Sequence, residues 1–186
     1  PDYNGSEEFN FFLAVAFPKD ELEIMDYNRV MKDLNGYSPE EFMAKIGEKF
    51  TLEAFDGEGQ YKPEAKHTFG MYLEKKWYKL TAKDGTFDEA DPVDRLDVSI
   101  LQNNCITPIF GIEDPRTDKR IDFVGGIRGL KELERRCETD MVIAFSMYPT
   151  SLEDLMAIAD AGKVMPPKST WFEPKLLSGL FVHKLS

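Results

Sequence analysis

Several features that would narrow the function are scarce in this sequence of 186 residues. It has two cysteines, Cys105 and Cys137, whose spacing matches neither a zinc site nor a disulfide framework, which is typical of a reducing compartment. Its longest apolar runs, such as Phe11 to Phe17, are far shorter than the roughly 20 residues of a membrane helix. We therefore expect a cytoplasmic protein that has no membrane partner.

Basic charge is also in deficit, with 23 Lys and Arg against 34 Asp and Glu, for a net charge of −11. This balance opposes binding to a phosphate backbone, so no nucleic-acid partner is expected. The two histidines, His67 and His183, lack neighbours at a metal spacing, and no metal site is predicted. Apolar residues make up 42% of the chain, which is enough for a globular core and excludes a largely disordered protein.

Hydrophobic periodicity and capping signals predict an α/β (α+β) fold. The clearest signal is the capping box at Ser38 to Glu41, which begins a helix ending near Lys49. We expect a mixed β-sheet, a peripheral hairpin formed by 67–73 and 77–83, and a helix over 96–105. The last third predicts a strand-helix-strand-helix-strand layer with segments 121–124, 129–137, 141–147, 151–162 and 180–185.

The beginning of the chain has a dense apolar run, Phe9 to Phe17, that is typical of a strand buried on both faces. A second short strand follows near residues 22–29. We interpret 1–36 as the end of a preceding sheet domain, with the chain starting inside a larger protein, and 37–186 as a C-terminal α/β domain.

One candidate site lies in a charged stretch and the glycine pair that follows it. Arginines in a turn-forming segment can form a fork for a carboxylate or phosphate, and glycines allow backbone amides to approach an anion. The alternatives are a loop whose charges pair with each other and a tight turn that needs glycine. The predicted anion-binding residues here are Asp114, Arg116, Asp118, Arg120, Gly125, Gly126 and Arg128.

The second candidate segment, Met165 to Lys175, combines prolines, hydroxyls, lysines and two large aromatic residues. It lacks the glycine cradle of a P-loop. The structural alternative is a proline-stiffened connection. The functional hypothesis assigns catalytic roles to Lys168, which meets a phosphate or acidic substrate together with Lys175, and to Glu173, which orients the substrate or takes a proton. It adds Ser169, Thr170 and Lys175 to the anion-binding residues.

These segments carry a resemblance to a known family. The stretches 26–30, 111–118, 121–126 and above all 165–175 resemble the bacterial and archaeal family catalogued as domain of unknown function 1015, and the likeness continues to His183. Members are often encoded beside serine-biosynthesis enzymes. Longer members carry, in the half that precedes this region, an Asp-Gly-His-His-Arg motif similar to that of ParB-like nucleotide-binding proteins and free-serine kinases. That motif is absent from this sequence.

The resemblance implies an enzyme of small-metabolite phosphate chemistry, such as phosphoryl transfer linked to serine or phosphoserine. It implies no cofactor in this chain itself and a nucleotide, ADP or ATP, in the longer protein. The expected partners are a small anionic metabolite and the missing N-terminal region, and a homo-oligomer stays open. The competing hypothesis is a non-catalytic ligand-sensing or assembly domain.

Overall fold

The computed structural model describes residues 3–175 and 179–185. The chain divides into two compact units, a smaller one of Pro1–Glu23 with Phe172–Ser186 and a larger one of Ile24–Trp171. The strands, in chain order, are β1 (Glu23–Met25), β2 (Tyr27–Met31), β3 (Phe50–Ala54), β4 (Thr68–Leu73), β5 (Lys76–Ala82), β6 (Ile121–Gly125), β7 (Ile143–Met147) and β8 (Trp171–Glu173). The α-helices are α1 (Pro39–Lys49), α2 (Asp97–Leu101), α3 (Thr107–Phe110), α4 (Lys131–Thr139) and α5 (Leu152–Asp160).

The larger unit contains a sheet in the order β3-β5-β4-β7-β2-β6, which confirms the α/β class. Every neighbouring pair of this sheet is antiparallel, whereas a mixed sheet was predicted. The predicted hairpin is present as β4 and β5, but it is not peripheral because β4 also pairs with β7. Strand β2, which we assigned to a preceding domain, pairs with β6 and β7 inside this sheet.

Helices cover both faces of the sheet. Alternate residues of β7, such as Ile143 and Phe145, lie in a large hydrophobic cluster with Phe42 of α1 and Phe110 of α3. On the opposite face, Leu133 of α4 belongs to a second cluster. Because strand side chains alternate between faces, a strand covered on both sides is buried along its whole length, as β7 is.

Local capping signals explain where two helices begin. The Ser38 hydroxyl accepts from the Glu41 amide at 3.2 Å, and Glu41 accepts from the Ser38 amide at 2.8 Å, which confirms the predicted capping box. Ser151 and Asp154 form the same arrangement at α5. The predicted helix over 96–105 is α2 followed by a π-helical turn, Gln102–Ile106, which continues into α3.

The smaller unit differs from the expectation for both ends of the chain. Residues 11–17 form no strand and are exposed, with Phe12 85% accessible. The predicted final strand over 180–185 is also wrong, because these residues have no strand structure and Phe181 is exposed. An apolar run indicates a strand only where a neighbouring strand supplies hydrogen bonds, and hydrophobicity alone does not reveal that neighbour.

Candidate functional site

The two predicted segments of the larger unit meet at one cavity of about 630 Å³. We call it the Arg29 cavity because a buried arginine lies in its wall. Glu113 to Arg116 form part of its lining, and Val164 to Pro167 form another part. The remaining lining residues are Arg29, Val93, Val98, Ser99, Gln102, Asn103 and Phe123.

Arg29 is the most unusual group in this wall. It lies on β2 and is only 4% exposed. Its guanidinium donates to the backbone carbonyls of Tyr27 and, at 3.0 Å, of Lys168, and its central carbon lies 5.5 Å from the Phe123 ring centroid. Burial lowers the pKa of Arg29 to about 10. Within residues 3–175 and 179–185 it has no carboxylate partner, so its charge is solvated by carbonyl dipoles and an aromatic face.

A second arginine lies at the same cavity but has a counter-ion. The Arg116 Nη2 and Nε atoms donate to Asp114 at 2.8 and 2.9 Å. This bidentate pair lowers the pKa of Asp114 to about 2 and raises that of Arg116. Because the Arg116 side chain is 66% exposed, the pair contributes little to stability, and an anionic ligand could compete for it.

The other charged residues predicted for the first segment have partners elsewhere. Arg120 donates to Asp118 at 2.9 Å and to the Phe110 carbonyl at 3.0 Å, so its guanidinium ties a loop to α3. Arg128 lies 3.9 Å from Glu132, one turn along α4. Neither arginine lines the Arg29 cavity.

The glycine pair is explained by close packing. A Cβ on Gly125 would lie 2.5 Å from the Trp171 ring, and one on Gly126 would overlap the Asp26 carboxylate. The Gly126 amide donates to the Asp26 carbonyl at 2.8 Å. That amide is therefore already used, and glycine is required here by its neighbours rather than by a positive φ angle.

The second segment has a constrained backbone. Lys168 adopts a left-handed φ of 59°, and its ammonium lies 5.6 Å from the Phe123 ring centroid, beside the cavity wall. Ser169 is buried; its hydroxyl donates to the Pro166 carbonyl at 2.5 Å, and its own carbonyl accepts from Thr150. Thr170 follows directly and is half-buried, while Glu173 and Lys175 belong to the smaller unit.

Sequence reasoning missed Arg29 and Ser99. The Ser99 hydroxyl is buried, lines the Arg29 cavity and has no hydrogen-bond partner among the residues that the structure describes. Arg29 had a detectable signal, since it is a charged residue inside a strand and within one of the stretches that carry the family resemblance. Ser99 had no such signal, because its burial beside the cavity depends on the three-dimensional fold.

A second cavity, of about 310 Å³, lies beside the N-terminal end of α2. We call it the Asp97 cavity after a buried carboxylate that lines it. Among residues 3–175 and 179–185, no group of three or more His, Cys, Asp or Glu side chains is placed to hold a metal ion.

The two cysteines pack with the hydrophobic clusters of the larger unit. Cys105 is fully buried in the larger hydrophobic cluster, and burial raises the pKa of its thiol. Burial likewise raises the pKa of Cys137 to about 12. Neither thiol is set up as a nucleophile, because the thiolate is the reactive form. The helices of the described residues include none that is both long and apolar enough to span a bilayer.

The fold and the Arg29 cavity together define an antiparallel α/β protein in which a buried arginine lines a cavity. A model of the family described as "Protein of unknown function (DUF1015)" matches residues 1–99, and the chain belongs to that family. This confirms the resemblance found in the sequence. No curated protein matches the chain significantly.

Solved structures resemble this fold at low sequence identity. A free serine kinase variant in complex with AMP has a TM-score of 0.50 and 15% identity, with 83% of this chain and 55% of that chain covered. A complex of a free serine kinase variant with ADP gives 0.49 and 15% over the same shares. A conserved hypothetical protein from Pyrococcus furiosus gives 0.48 and 14%, covering 83% and 57%. The chain thus spans little more than half the length of these proteins.

Proposed function

We propose that this chain is part of an enzyme that transfers a phosphoryl group to or from a small serine-like metabolite, and that the Arg29 cavity receives the anionic group. The observation that carries this proposal is the buried guanidinium of Arg29, which lines a cavity and has no carboxylate partner in the described part of the chain. Buried charges are normally paired, and a phosphate or carboxylate would supply the missing partner.

The other polar groups of the cavity suit the same ligand. Ser99 has a hydroxyl without a partner among the described residues. The Asn103 amide makes only a long contact of 3.3 Å with Asp94 and can donate to a phosphate oxygen, whereas the Gln102 amide already donates to Thr107 and to the Ile112 carbonyl. Arg116 can exchange Asp114 for the ligand. Phosphoryl transfer depends mainly on positioning and charge neutralisation, for which these groups are appropriate.

The finer assignments belong to the same proposal. Lys168, beside the wall, neutralises charge that develops on the phosphoryl group, and the catalytic role of Glu173 stays a prediction from the sequence. The nucleotide, ADP or ATP, binds chiefly to the region that precedes this one in longer relatives. The fold likeness to free serine kinase supports the reaction class, and the acidic, cysteine-poor composition supports a cytoplasmic location.

Isothermal titration of the 186-residue chain with phosphoserine, serine and acetate tests the site. We expect phosphoserine to bind more tightly than serine. Arg29→Met should lower the phosphoserine affinity by at least tenfold, because a charge-assisted contact is worth about 1.5–3 kcal/mol. Arg116→Ala should lower it by about three- to tenfold, since this side chain is exposed and must leave Asp114.

Arg135→Ala is the matched control, because Arg135 makes a similar bidentate pair with Glu132, at 2.6 and 2.7 Å, and does not line the cavity. Circular dichroism checks that Arg29→Met is folded, and Arg29→Lys is the milder substitute if it is not. Equal affinity for serine and phosphoserine, or an unchanged phosphoserine affinity in both folded Arg29→Met and Arg116→Ala, would refute the site. Binding without turnover in a protein that carries the preceding half would instead identify a ligand-sensing domain.

A further inference from the structure

The Asp97 cavity is distinct from the Arg29 cavity and has its own unpaired group. Asp97, the first residue of α2, is only 9% exposed and lines the cavity. Its Oδ1 accepts from the His67 amide at 2.8 Å, whereas its Oδ2 is buried and has no hydrogen-bond partner in the described part of the chain. A buried carboxylate oxygen without a donor is costly, so a ligand that supplies a donor would be favoured.

The residues around Asp97 hold its carboxylate in a defined position. His67 adopts a left-handed φ of 64°, which is strained for a residue with a side chain, and this conformation points its amide at Asp97. The His67 ring packs on Phe87 at 4.4 Å between centroids, and its Nε2 lies 3.2 Å from the Arg95 carbonyl. The carboxylate is thus held in place from one side only.

The charged groups that line the Asp97 cavity differ in how far neighbouring residues already neutralise them. The Lys66 ammonium lies 2.7 and 2.8 Å from the two carboxylate oxygens of Asp154, so these two charges largely offset each other. The Arg95 guanidinium makes a long contact of 3.4 Å to the Glu89 carbonyl. The cavity therefore presents a buried carboxylate and a weakly engaged guanidinium.

Two other ligand classes fit less well. A metal ion would need more ligands, and the described residues offer no suitable group of three. A free phosphate would face the carboxylates of Asp97, Asp154 and Glu89, which all line the cavity. A volume of about 310 Å³ suits a small molecule.

We propose that the Asp97 cavity binds a small zwitterion of the α-amino-acid class, whose ammonium group donates to Asp97 Oδ2 and whose carboxylate meets Arg95. The ammonium satisfies the unpartnered oxygen and neutralises the buried charge. The guanidinium of Arg95 provides the paired donors that a carboxylate accepts. This site stands on its own residues and does not depend on phosphate binding at the Arg29 cavity.

The protonation of Asp97 allows a test in which the direction of proton exchange on ligand binding is predicted. Burial raises the pKa of Asp97 to about 7, with the His67 amide and Lys66 opposing the rise and Asp154 adding to it. An ammonium ligand favours the ionised carboxylate and lowers this pKa, so binding at pH 7 should release up to about half a proton per site. A ligand that needed the protonated acid as a donor would cause proton uptake instead.

The experiment is isothermal titration of the 186-residue chain with glycine, ethylamine and acetate at pH 7, in PIPES and in HEPES buffer. The difference in heat between buffers gives the number of protons exchanged. We expect glycine to bind with proton release, ethylamine to bind more weakly with release, and acetate alone to bind least. Asp97→Asn keeps an oxygen for the His67 amide but should reduce the affinity for glycine at least tenfold and abolish the release.

Two further variants distinguish binding in the Asp97 cavity from binding elsewhere on the protein. Arg95→Met should weaken glycine but leave ethylamine unchanged, and Asp84→Asn, an exposed carboxylate on a turn, should change neither. Arg116→Ala, which tests the Arg29 cavity, should leave glycine binding intact, and phosphoserine titrated into Asp97→Asn reports on the Arg29 cavity alone, so the two sites can fail independently. Proton uptake on binding, glycine affinity that survives Asp97→Asn, or no binding at millimolar concentrations would overturn the proposal.

Discussion

Replacing Asp97 by asparagine should change how the stability of the protein depends on pH. Burial raises the pKa of Asp97 from 3.8 to about 7 in the folded chain. Between these values the folded protein holds a proton that the unfolded chain has lost, so unfolding releases a proton and becomes easier as the pH rises. The stability contributed by the neutral acid is complete at low pH and is lost by the time the pH exceeds about 7.

The expected size of this effect follows from the shift. A change of about three pKa units corresponds to about 4 kcal/mol in total, and about 3 kcal/mol of it falls between pH 5 and pH 8. Asp97→Asn removes the titrating group and should not show this loss. The free energy of unfolding of the variant, minus that of the wild type, should therefore rise by about 3 kcal/mol across this range.

Urea denaturation at pH 5, 6, 7 and 8, in buffers without primary amines, measures this difference. Taking the difference between variant and wild type cancels the titration of the other carboxylates, which both proteins share. Asp84→Asn serves as the control, because it removes an exposed carboxylate and should give a flat difference. If the Asp97→Asn and wild-type stabilities fall in parallel from pH 5 to pH 8, Asp97 does not take up its proton in this range and the reasoning is refuted.

Two further predictions concern stability. Gly70→Ala should destabilise the protein by about 1–3 kcal/mol in urea denaturation, because the new methyl group would overlap Ser146 and lie 2.9 Å from a backbone carbonyl. Gly47 lies in α1 with open space around it, so Gly47→Ala should instead stabilise the protein by about 1 kcal/mol. The same sign for both substitutions would contradict the packing argument. Ser38→Ala should cost about 1 kcal/mol by the same assay because it removes the helix cap, and an unchanged unfolding midpoint would show that the cap contributes nothing.

The parts of the fold that could be predicted from sequence are those set by local contacts. A capping box involves residues three apart, so the start of α1 could be placed to the residue. The hairpin of β4 and β5 could also be found, because its strands are neighbours in the chain. Sheet order could not be predicted, since β2 pairs with β6 and β7, which lie about 100 residues further along.

The candidate site, like the fold, has features that could be predicted from the sequence and features that could not. Asp114 and Arg116 could be named as candidates from residue types, and both line the Arg29 cavity. The partners of Arg120 could not be predicted. One of them is the Phe110 carbonyl, which can accept from Arg120 only because α3 ends at this residue. A sequence shows which side chains carry charge, but whether a charge is already paired depends on contacts between distant segments.

The short segment 97–103 links the two cavities and concentrates unfavourable features. Asp97 and Ser99 each bury a polar atom without a partner, and they line different cavities although they are two residues apart. The helix then passes into a π-helical turn whose first residues, Gln102 and Asn103, line the Arg29 cavity. Unpaired buried groups and π-helical turns both cost stability and are common at functional sites. Their coincidence on one helix is more readily explained by ligand binding on both of its sides than by selection for stability alone.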